Sequence, residues 1–133
     1  MPSYSNKTLI SKLGITEGSS LFFINTPDDY KKLLGKLPLK TKMLKKIGSN
    51  IDFIHFFTLT KKDLKKNFPK LKKALKKDGM LWVSWPKGKN YNTDLKENII
   101  RDIGLEYGLV DVKVIAINDT WSGLKFVYRM SDR

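Results

Sequence analysis

The stretch that decides the fold is Ser20-Leu21-Phe22-Phe23-Ile24-Asn25-Thr26-Pro27-Asp28-Asp29-Tyr30. Residues 20–25 are too continuously apolar for a strand with one wet face, and they predict a strand covered on both faces. The following residues predict a helix that Thr26 caps, with Pro27 at its first position and Asp28 and Asp29 in its first turn. A buried strand that leads directly into a capped helix indicates an α/β protein.

The same alternation of strands and helices continues along the chain. Besides 20–25, the predicted strands are 43–47, 51–57, 80–85, 112–117 and 124–129. Helices are predicted over 8–13 and after Thr26, Thr60 and Thr93, where a threonine stands before a run with helical spacing. Within the helix after Thr60, Pro69 is expected to kink or split it, and Asp78-Gly79 to end it.

The order of these elements indicates a three-layer α/β fold with a twisted, mainly parallel sheet. The last two strands are joined by only a few residues, which predicts an antiparallel hairpin at the C-terminal end. A length of 133 residues suits a single domain over 1–133.

Composition excludes several classes of protein and site. The chain has no cysteine, which removes disulfides, thiolate nucleophiles and cysteine metal sites. Residues 1–7 contain no apolar region typical of a secretory signal, and no apolar run approaches the roughly 18 residues of a membrane span. We therefore expect a cytoplasmic protein that does not enter a membrane.

The chain is strongly basic, with 26 Lys and Arg residues against 13 Asp and Glu residues and a net charge of +13. A surplus of this size attracts polyanions. The lysine-rich segment 61–77 is the candidate nucleic-acid surface, and its candidate contacts are Lys61, Lys62, Lys65, Lys66, Lys72 and Lys73. Two alternatives stay open: this segment is a solvated outer face, or the lysines reflect the base composition of an AT-rich genome.

The element order resembles a shortened class I methyltransferase, which has a Rossmann-like fold. Three features carry this resemblance: the strand Ile51-Asp52-Phe53-Ile54, the lysine-rich helix followed by Gly79, and the final hairpin. The chain has one strand-helix unit fewer than that family. It also resembles a small bacterial domain family of unknown function, in segments 81–87, 93–95, 108–113 and 120–127. The two resemblances together imply a methyltransferase-like sheet without an established activity.

The chain departs from the methyltransferase pattern at both signature positions. That family has a glycine-rich turn after the first strand and an acidic residue after the second, which holds the ribose of S-adenosylmethionine. Here Asn-Thr-Pro-Asp-Asp follows the first strand, and Lys45, Lys46 and Ser49 stand near the second. We therefore expect no cofactor and assign no catalytic residue. His55 is the only histidine and lies inside an apolar strand, so no metal is expected either.

A ligand site in a sheet of this kind lies beyond the C-terminal ends of the strands, where the strand order reverses. Polar residues and tryptophans at predicted strand ends and in the last connection are the candidates. They are Asn25, Thr26, Asp28, Thr58, Trp85, Lys87, Asp119, Trp121 and Ser122. Helix capping is the alternative role of Thr26 and Asp28, and covering the end of the sheet is the alternative role of Trp121.

These observations favour a non-catalytic Rossmann-like module that binds a small ligand or a protein partner at this end of the sheet. One alternative is a nucleic-acid-binding protein that uses segment 61–77. The other is a divergent S-adenosylmethionine-dependent methyltransferase.

Overall fold

The computed structural model describes residues 8–87 and 92–133, and within them one sheet of six strands. The strand order is β2-β1-β3-β4-β6-β5. β2, β1, β3 and β4 are parallel, and β6 is antiparallel to both β4 and β5. The strand bounds are β1 Ser20–Ile24, β2 Lys42–Met43, β3 Ile51–Phe57, β4 Leu75–Pro86, β5 Leu109–Ala116 and β6 Trp121–Tyr128. The predicted mainly parallel sheet with a C-terminal antiparallel hairpin is confirmed.

Helices cover both faces of the sheet. They are α1 Leu9–Leu13, α2 Tyr30–Leu34, α3 Lys61–Ala74 and α4 Glu97–Glu106, and a short 3-10 helix spans Met130–Asp132. Buried residues of α1 and α2 pack with Phe53 and Phe57 on one face, while those of α3 and α4 pack with Ile54 and Phe56 on the other. Alternate residues of β3 thus face opposite cores, which gives the three layers. No helix in the described residues is long and apolar enough to cross a membrane.

Helix α3 runs unbroken through Pro69, so the expected split is wrong. A proline inside a helix removes one backbone hydrogen bond. The buried stripe of the helix extends across the proline and packs both halves onto the same core; it consists of Leu64, Phe68, Leu71 and Ala74. Packing of this stripe outweighs the local preference of the proline.

The expected helix stop at Asp78-Gly79 is also wrong, because both residues lie inside β4. A Cβ atom at Gly79 would approach the carbonyl oxygens of Asp52 and Ile51 to 2.9 Å. The register between β3 and β4 shifts between Ile51 and Phe53, at the same place. Gly79 therefore permits a close approach of two strands, and the helix ends earlier, at Ala74.

Helix α2 begins at Tyr30, later than expected, and Thr26 does not cap it. Asp29 precedes the helix without a side-chain capping bond, and the Tyr30 N–H donates to the Pro27 carbonyl over 3.0 Å. The Tyr30 side chain is fully buried. Burial of this ring fixes where the helix starts and leaves 25–29 as an exposed turn.

Trp121 is the first residue of β6, so its expected place in the hairpin turn is wrong. The Asn118 side chain makes the turn, since its Oδ1 accepts from the N–H groups of Thr120 and Trp121 over 2.9 and 2.8 Å. Such a side-chain turn closes the hairpin tightly. Strands β5 and β6 begin at Leu109 and Trp121, a few residues earlier than their apolar runs predicted.

Candidate functional site

A cavity of about 400 Å³ opens beyond the C-terminal ends of β1 and β3. β1 lies between β2 and β3 in the sheet, so the chain leaves β1 towards one side and returns on the other. This is the reversal of strand order where ligands bind in open α/β sheets. The volume lies within the usual range of small-molecule sites. The described lining residues are Asn25, Phe57, Thr58, Leu59, Thr60, Asp63 and Trp121.

Asn25 sits at the end of β1 in the left-handed backbone conformation, with φ of +57°. Asparagine is one of the few non-glycine residues that adopt this conformation readily. Asn25 therefore provides a turn of the kind that glycine makes most easily. The missing glycine does not mean that a sharp turn after β1 is missing.

We predict that Asn25→Gly leaves the free energy of unfolding nearly unchanged, whereas Asn25→Ala lowers it by about 1 kcal/mol. An L-residue is disfavoured in the left-handed region by roughly 1–2 kcal/mol, and alanine lacks the short polar side chain with which asparagine offsets this cost by local hydrogen bonding. Urea unfolding followed by circular dichroism measures both values. Thr26→Ala, at an exposed neighbour, is the control and should change little. Equal losses for glycine and alanine at position 25 would contradict a conformational role.

One wall of the cavity holds a fixed carboxylate. The Thr58 hydroxyl donates to Asp63 Oδ2 over 2.7 Å, and the Asn67 amide donates to Asp63 Oδ1 over 2.9 Å. The Asp63 N–H donates in turn to the Thr60 hydroxyl over 3.1 Å, which caps α3 as the sequence predicts. The first turn of α3 therefore holds Asp63 in one orientation beside the cavity.

Two of the other lining residues are aromatic. The rings of Phe57 and Trp121 meet edge to face with centroids 5.1 Å apart. Trp121 is half-buried against the α1/α2-side core and also lines the cavity. Aromatic rings in a cleft can stack on a base or lie beside a cation.

The charge of this cavity is opposite to that of the whole protein. Its described lining residues include one carboxylate, Asp63, and no lysine or arginine. The chain as a whole has 26 lysines and arginines against 13 acidic residues. A ligand that carries phosphates would find no cationic side chain among these residues, whereas a ligand with a positive charge would find a carboxylate and two aromatic rings.

A buried polar network lies beneath the aromatic wall. His55 is fully buried, stacks on Phe57 at 4.2 Å, and has Nδ1 2.6 Å from the Tyr30 hydroxyl and Nε2 2.7 Å from the Ser84 hydroxyl. Burial lowers the pKa of His55 to about 3 and raises the pKa of Tyr30. His55 is therefore neutral and packed, with no access to the cavity.

Three of the residues expected at the site come together in the cavity, namely Asn25, Thr58 and Trp121. Thr26 and Asp28 are exposed in the 25–29 turn and are not among the lining residues. The tryptophans three apart in β4 face opposite sides of the sheet, as their spacing predicts. Trp82 packs in the α1/α2-side core, and Trp85 is buried in the α3/α4-side core, away from this cavity.

The remaining three expected residues lie around the end of the hairpin. Lys87 is exposed, and its N–H donates to the Thr120 carbonyl over 2.8 Å. Asp119 is exposed, and Ser122 pairs with Trp85, which puts its side chain on the opposite face from Trp121. None of the three is among the cavity's described lining residues.

Sequence reasoning missed four lining residues: Phe57, Leu59, Thr60 and Asp63. The sequence contains a signal for two of them, Thr60 and Asp63, because this helix-start pair follows a predicted strand end by only a few residues. An aspartate in the first turn of a helix that begins immediately after a parallel strand lies at the ligand-binding edge of the sheet.

Several solved structures share this fold. The chain is similar to a SAM-dependent methyltransferase from Aquifex aeolicus, at 14% identity over 95% of this chain and 93% of that one, with a TM-score of 0.58. It is also similar to magnesium protoporphyrin IX methyltransferase from Synechocystis with bound SAM, at 12% identity over 91% and 74%, with a TM-score of 0.58. A third similar structure is 1,6-didemethyltoxoflavin-N1-methyltransferase from Burkholderia thailandensis with bound S-adenosylhomocysteine, at 8% identity over 89% and 73%, with a TM-score of 0.56. No family model and no curated protein matches the chain.

These neighbours confirm the methyltransferase-like, Rossmann-like fold. They also contradict the expectation of a non-catalytic module, because the three structures just named, which share this fold over most of the chain, are methyltransferases. The apparent loss of the turn after β1, on which that expectation relied, is not seen in the backbone at Asn25.

Proposed function

We propose that this protein is a divergent S-adenosylmethionine-dependent methyltransferase whose cofactor site is the cavity beyond β1 and β3. The observation that carries the proposal is the charge of the cavity. S-adenosylmethionine has a positive sulfonium and an adenine base but no phosphate. A lining that includes a carboxylate and two aromatic rings, without a lysine or arginine among the described residues, suits this ligand better than a phosphate-bearing nucleotide.

The residues present fit the cofactor in part. The left-handed turn at Asn25 lets the backbone pass close to a ligand, Asp63 offers a charge to the sulfonium, and Trp121 offers a ring to the base. The family's acidic contact to the ribose is not reproduced, because β2 ends at Met43 and is followed by Leu44, Lys45 and Lys46. Binding of the ribose therefore differs from the family pattern.

The cofactor supplies an activated methyl group when bound. This chain supplies a site that binds the cofactor, orients it and removes water from around it. Thr58 and Asn67 hold the Asp63 carboxylate by hydrogen bonds, and Phe57 and Trp121 exclude water from one wall. Methyl transfer depends largely on such positioning. A cysteine-free chain also suits the reducing cytoplasm, where we place the protein.

We predict that Asp63→Asn weakens the binding of S-adenosylmethionine about tenfold, which is about 1.4 kcal/mol. The binding of S-adenosylhomocysteine, which lacks the sulfonium charge, should change clearly less. Trp121→Ala should weaken the binding of both ligands, because the ring is proposed to contact the adenine base, which both of them contain. Isothermal titration calorimetry at pH 7.5 gives the dissociation constants.

Two control variants match these changes in chemistry but lie outside the cavity. Asp111→Asn removes a carboxylate that pairs with Arg101, and Tyr107→Ala removes a half-buried ring stacked on Phe68. Neither should alter binding. No saturable binding of S-adenosylmethionine by the wild-type protein at millimolar concentration would overturn the proposal, and so would equal binding of NAD or ATP.

A further inference from the structure

The outer face of helix α3 is a continuous lysine surface. Half of this 14-residue helix is lysine, while its other face is the buried apolar stripe. Lys72 differs from the other lysines: it is half-buried, and its Nζ donates to the Tyr107 carbonyl over 2.8 Å. The fully exposed members, here called the α3 lysine face, are Lys61, Lys62, Lys65, Lys66, Lys70 and Lys73.

These six side chains make no ion pair within the described residues, and a carboxylate close to them is that of Asp94, which accepts from the Lys61 backbone N–H over 2.9 Å. The ion pairs found in residues 8–87 and 92–133 join Lys76 to Asp52 and Asp78, and Arg101 to Glu97 and Asp111. None of them includes the α3 lysine face. The single acidic residue of α3, Asp63, is directed to the cavity wall by its hydrogen bonds to Thr58 and Asn67.

Among the two helices that cover this face of the sheet, the positive charge is concentrated on α3. Helix α4 packs on the same face of the sheet, yet it carries one basic residue, Arg101, against the three carboxylates of Glu97, Asp102 and Glu106. A general preference for lysine in the chain does not account for two neighbouring helices of opposite charge. The distribution indicates an electrostatic binding surface.

We propose that the α3 lysine face binds the phosphate backbone of duplex nucleic acid. Lysine is a mobile point charge that contacts phosphates without reading bases. A 14-residue helix is about 21 Å long, and it offers these charges in two adjacent rows along its length. The proposal therefore predicts binding that depends strongly on salt and little on base sequence.

Two other polyanionic partners fit this surface less well. A lipid bilayer would need apolar side chains to insert, but Leu64, Phe68 and Leu71 of α3 are buried in the core. A single strand would need aromatic rings on which bases stack, and the exposed residues of α3 include none. Duplex binding needs only the phosphate contacts that the helix offers.

The α3 lysine face starts at the cavity, because Lys61 and Lys62 follow directly on the lining residue Thr60. A duplex on this face would lie beside the proposed cofactor site. The inference goes beyond the proposed function and does not rest on it, since the duplex contacts are independent of any cofactor. Either proposal can fail alone.

The test removes three charges from this face in the variant Lys62→Ala/Lys66→Ala/Lys70→Ala. Fluorescence anisotropy measures binding to a 30-base-pair DNA duplex and to the matching RNA duplex from 50 to 200 mM salt. The slope of log K against log salt should become shallower by about 3, since each lost contact removes about 0.9. Alanine favours the helix, so the variant should stay folded, which circular dichroism verifies.

The matched control is Lys31→Ala/Lys32→Ala/Lys36→Ala, which removes the same charge from the region of α2 on the other face of the sheet. Its slope should change by less than 1. Equal losses in the two variants would show that only net charge matters, and the proposal would be overturned. Absence of wild-type binding at 50 mM salt, or tighter binding to phosphatidylserine vesicles than to either duplex, would overturn it as well.

Discussion

Replacing Gly104 by alanine is expected to lower the free energy of unfolding by about 3 kcal/mol, one of the largest effects of any single change in this protein. Gly104 is buried in α4 where the helix packs on β6. An added Cβ would lie 2.0 Å from Cε1 and 2.5 Å from Cζ of Phe126. The Phe126 ring is itself fully buried and meets Phe68 edge to face with centroids 5.5 Å apart, so it has no free space to move into.

The measurement is equilibrium urea unfolding of the wild type and of Gly104→Ala. Local propensity acts in the opposite direction, because alanine is better than glycine inside a helix by about 1 kcal/mol. The sign of the change therefore separates the two effects. Asp102→Ala, at an exposed position of the same helix, is the control and should alter stability by no more than about 0.5 kcal/mol. A gain in stability for Gly104→Ala would show that α4 does not pack this closely on Phe126.

Gly104 also shows where sequence reasoning ends. The mostly apolar run 51–57 predicts β3 with the bounds that the structure has, Ile51–Phe57. Such a run leaves little choice of local structure. Nothing in a single sequence distinguishes a glycine that one ring covers from a glycine that ends a helix. Gly79 was interpreted as a stop for the same reason, although it serves a close approach of β3 and β4. Contacts between segments far apart in the chain decide both cases.

The candidate site was predictable to the extent that it depends on topology. The rule that ligands bind where strand order reverses predicts Asn25 and Thr58 at one crevice, and both are among the residues that line the cavity. It could not exclude Trp85, since a tryptophan at a strand end is equally consistent with burial in the core. Nor could it find the left-handed conformation of Asn25, which a residue type allows but does not require.

Two adjacent surfaces of the molecule differ in charge. The cavity has a carboxylate and no cationic side chain among its described lining residues, while the outer face of α3 has six exposed lysines. Helix α3 contributes to both, because its first turn holds Asp63 inward and its lysines lie outward. A net charge of +13 therefore says nothing about the cavity itself. The difference in sign favours two different ligands, one cationic or neutral and one polyanionic.

The second large effect is the loss of stability in acid that we expect from His55. The native pKa of His55 is about 3, because the ring is fully buried and desolvated, against an ordinary value of 6.5 in the unfolded chain. Because the native pKa of His55 is lowered, the folded protein has its full stability only above pH 6.5, where the ring is neutral in both the native and the unfolded states. Below that pH the unfolded chain takes up a proton that the native protein does not. Stability should therefore fall by about 1.4 kcal/mol per pH unit from pH 6.5 towards pH 3.

A variant isolates this contribution from that of the carboxylates. His55→Phe keeps a ring between Phe53 and Phe57 but leaves the buried hydroxyls of Tyr30 and Ser84 without their partner, each at a cost of roughly 1–3 kcal/mol. The variant should be less stable than the wild type at pH 7. It cannot take up the proton, however, so the difference should shrink by about 3 kcal/mol between pH 6.5 and pH 4.5.

Urea unfolding of both proteins at several pH values gives this difference directly. Ser84→Ala retains His55 and should keep the steep wild-type dependence, which makes it a second measurement if His55→Phe does not fold. Parallel pH profiles for the wild type and His55→Phe would show that His55 is hydrated in the native state. The hydrogen bonds to Tyr30 and Ser84 would then be too weak to exclude water, and the aromatic wall of the cavity, which stacks on His55 through Phe57, would be less rigid than the packing of these rings implies.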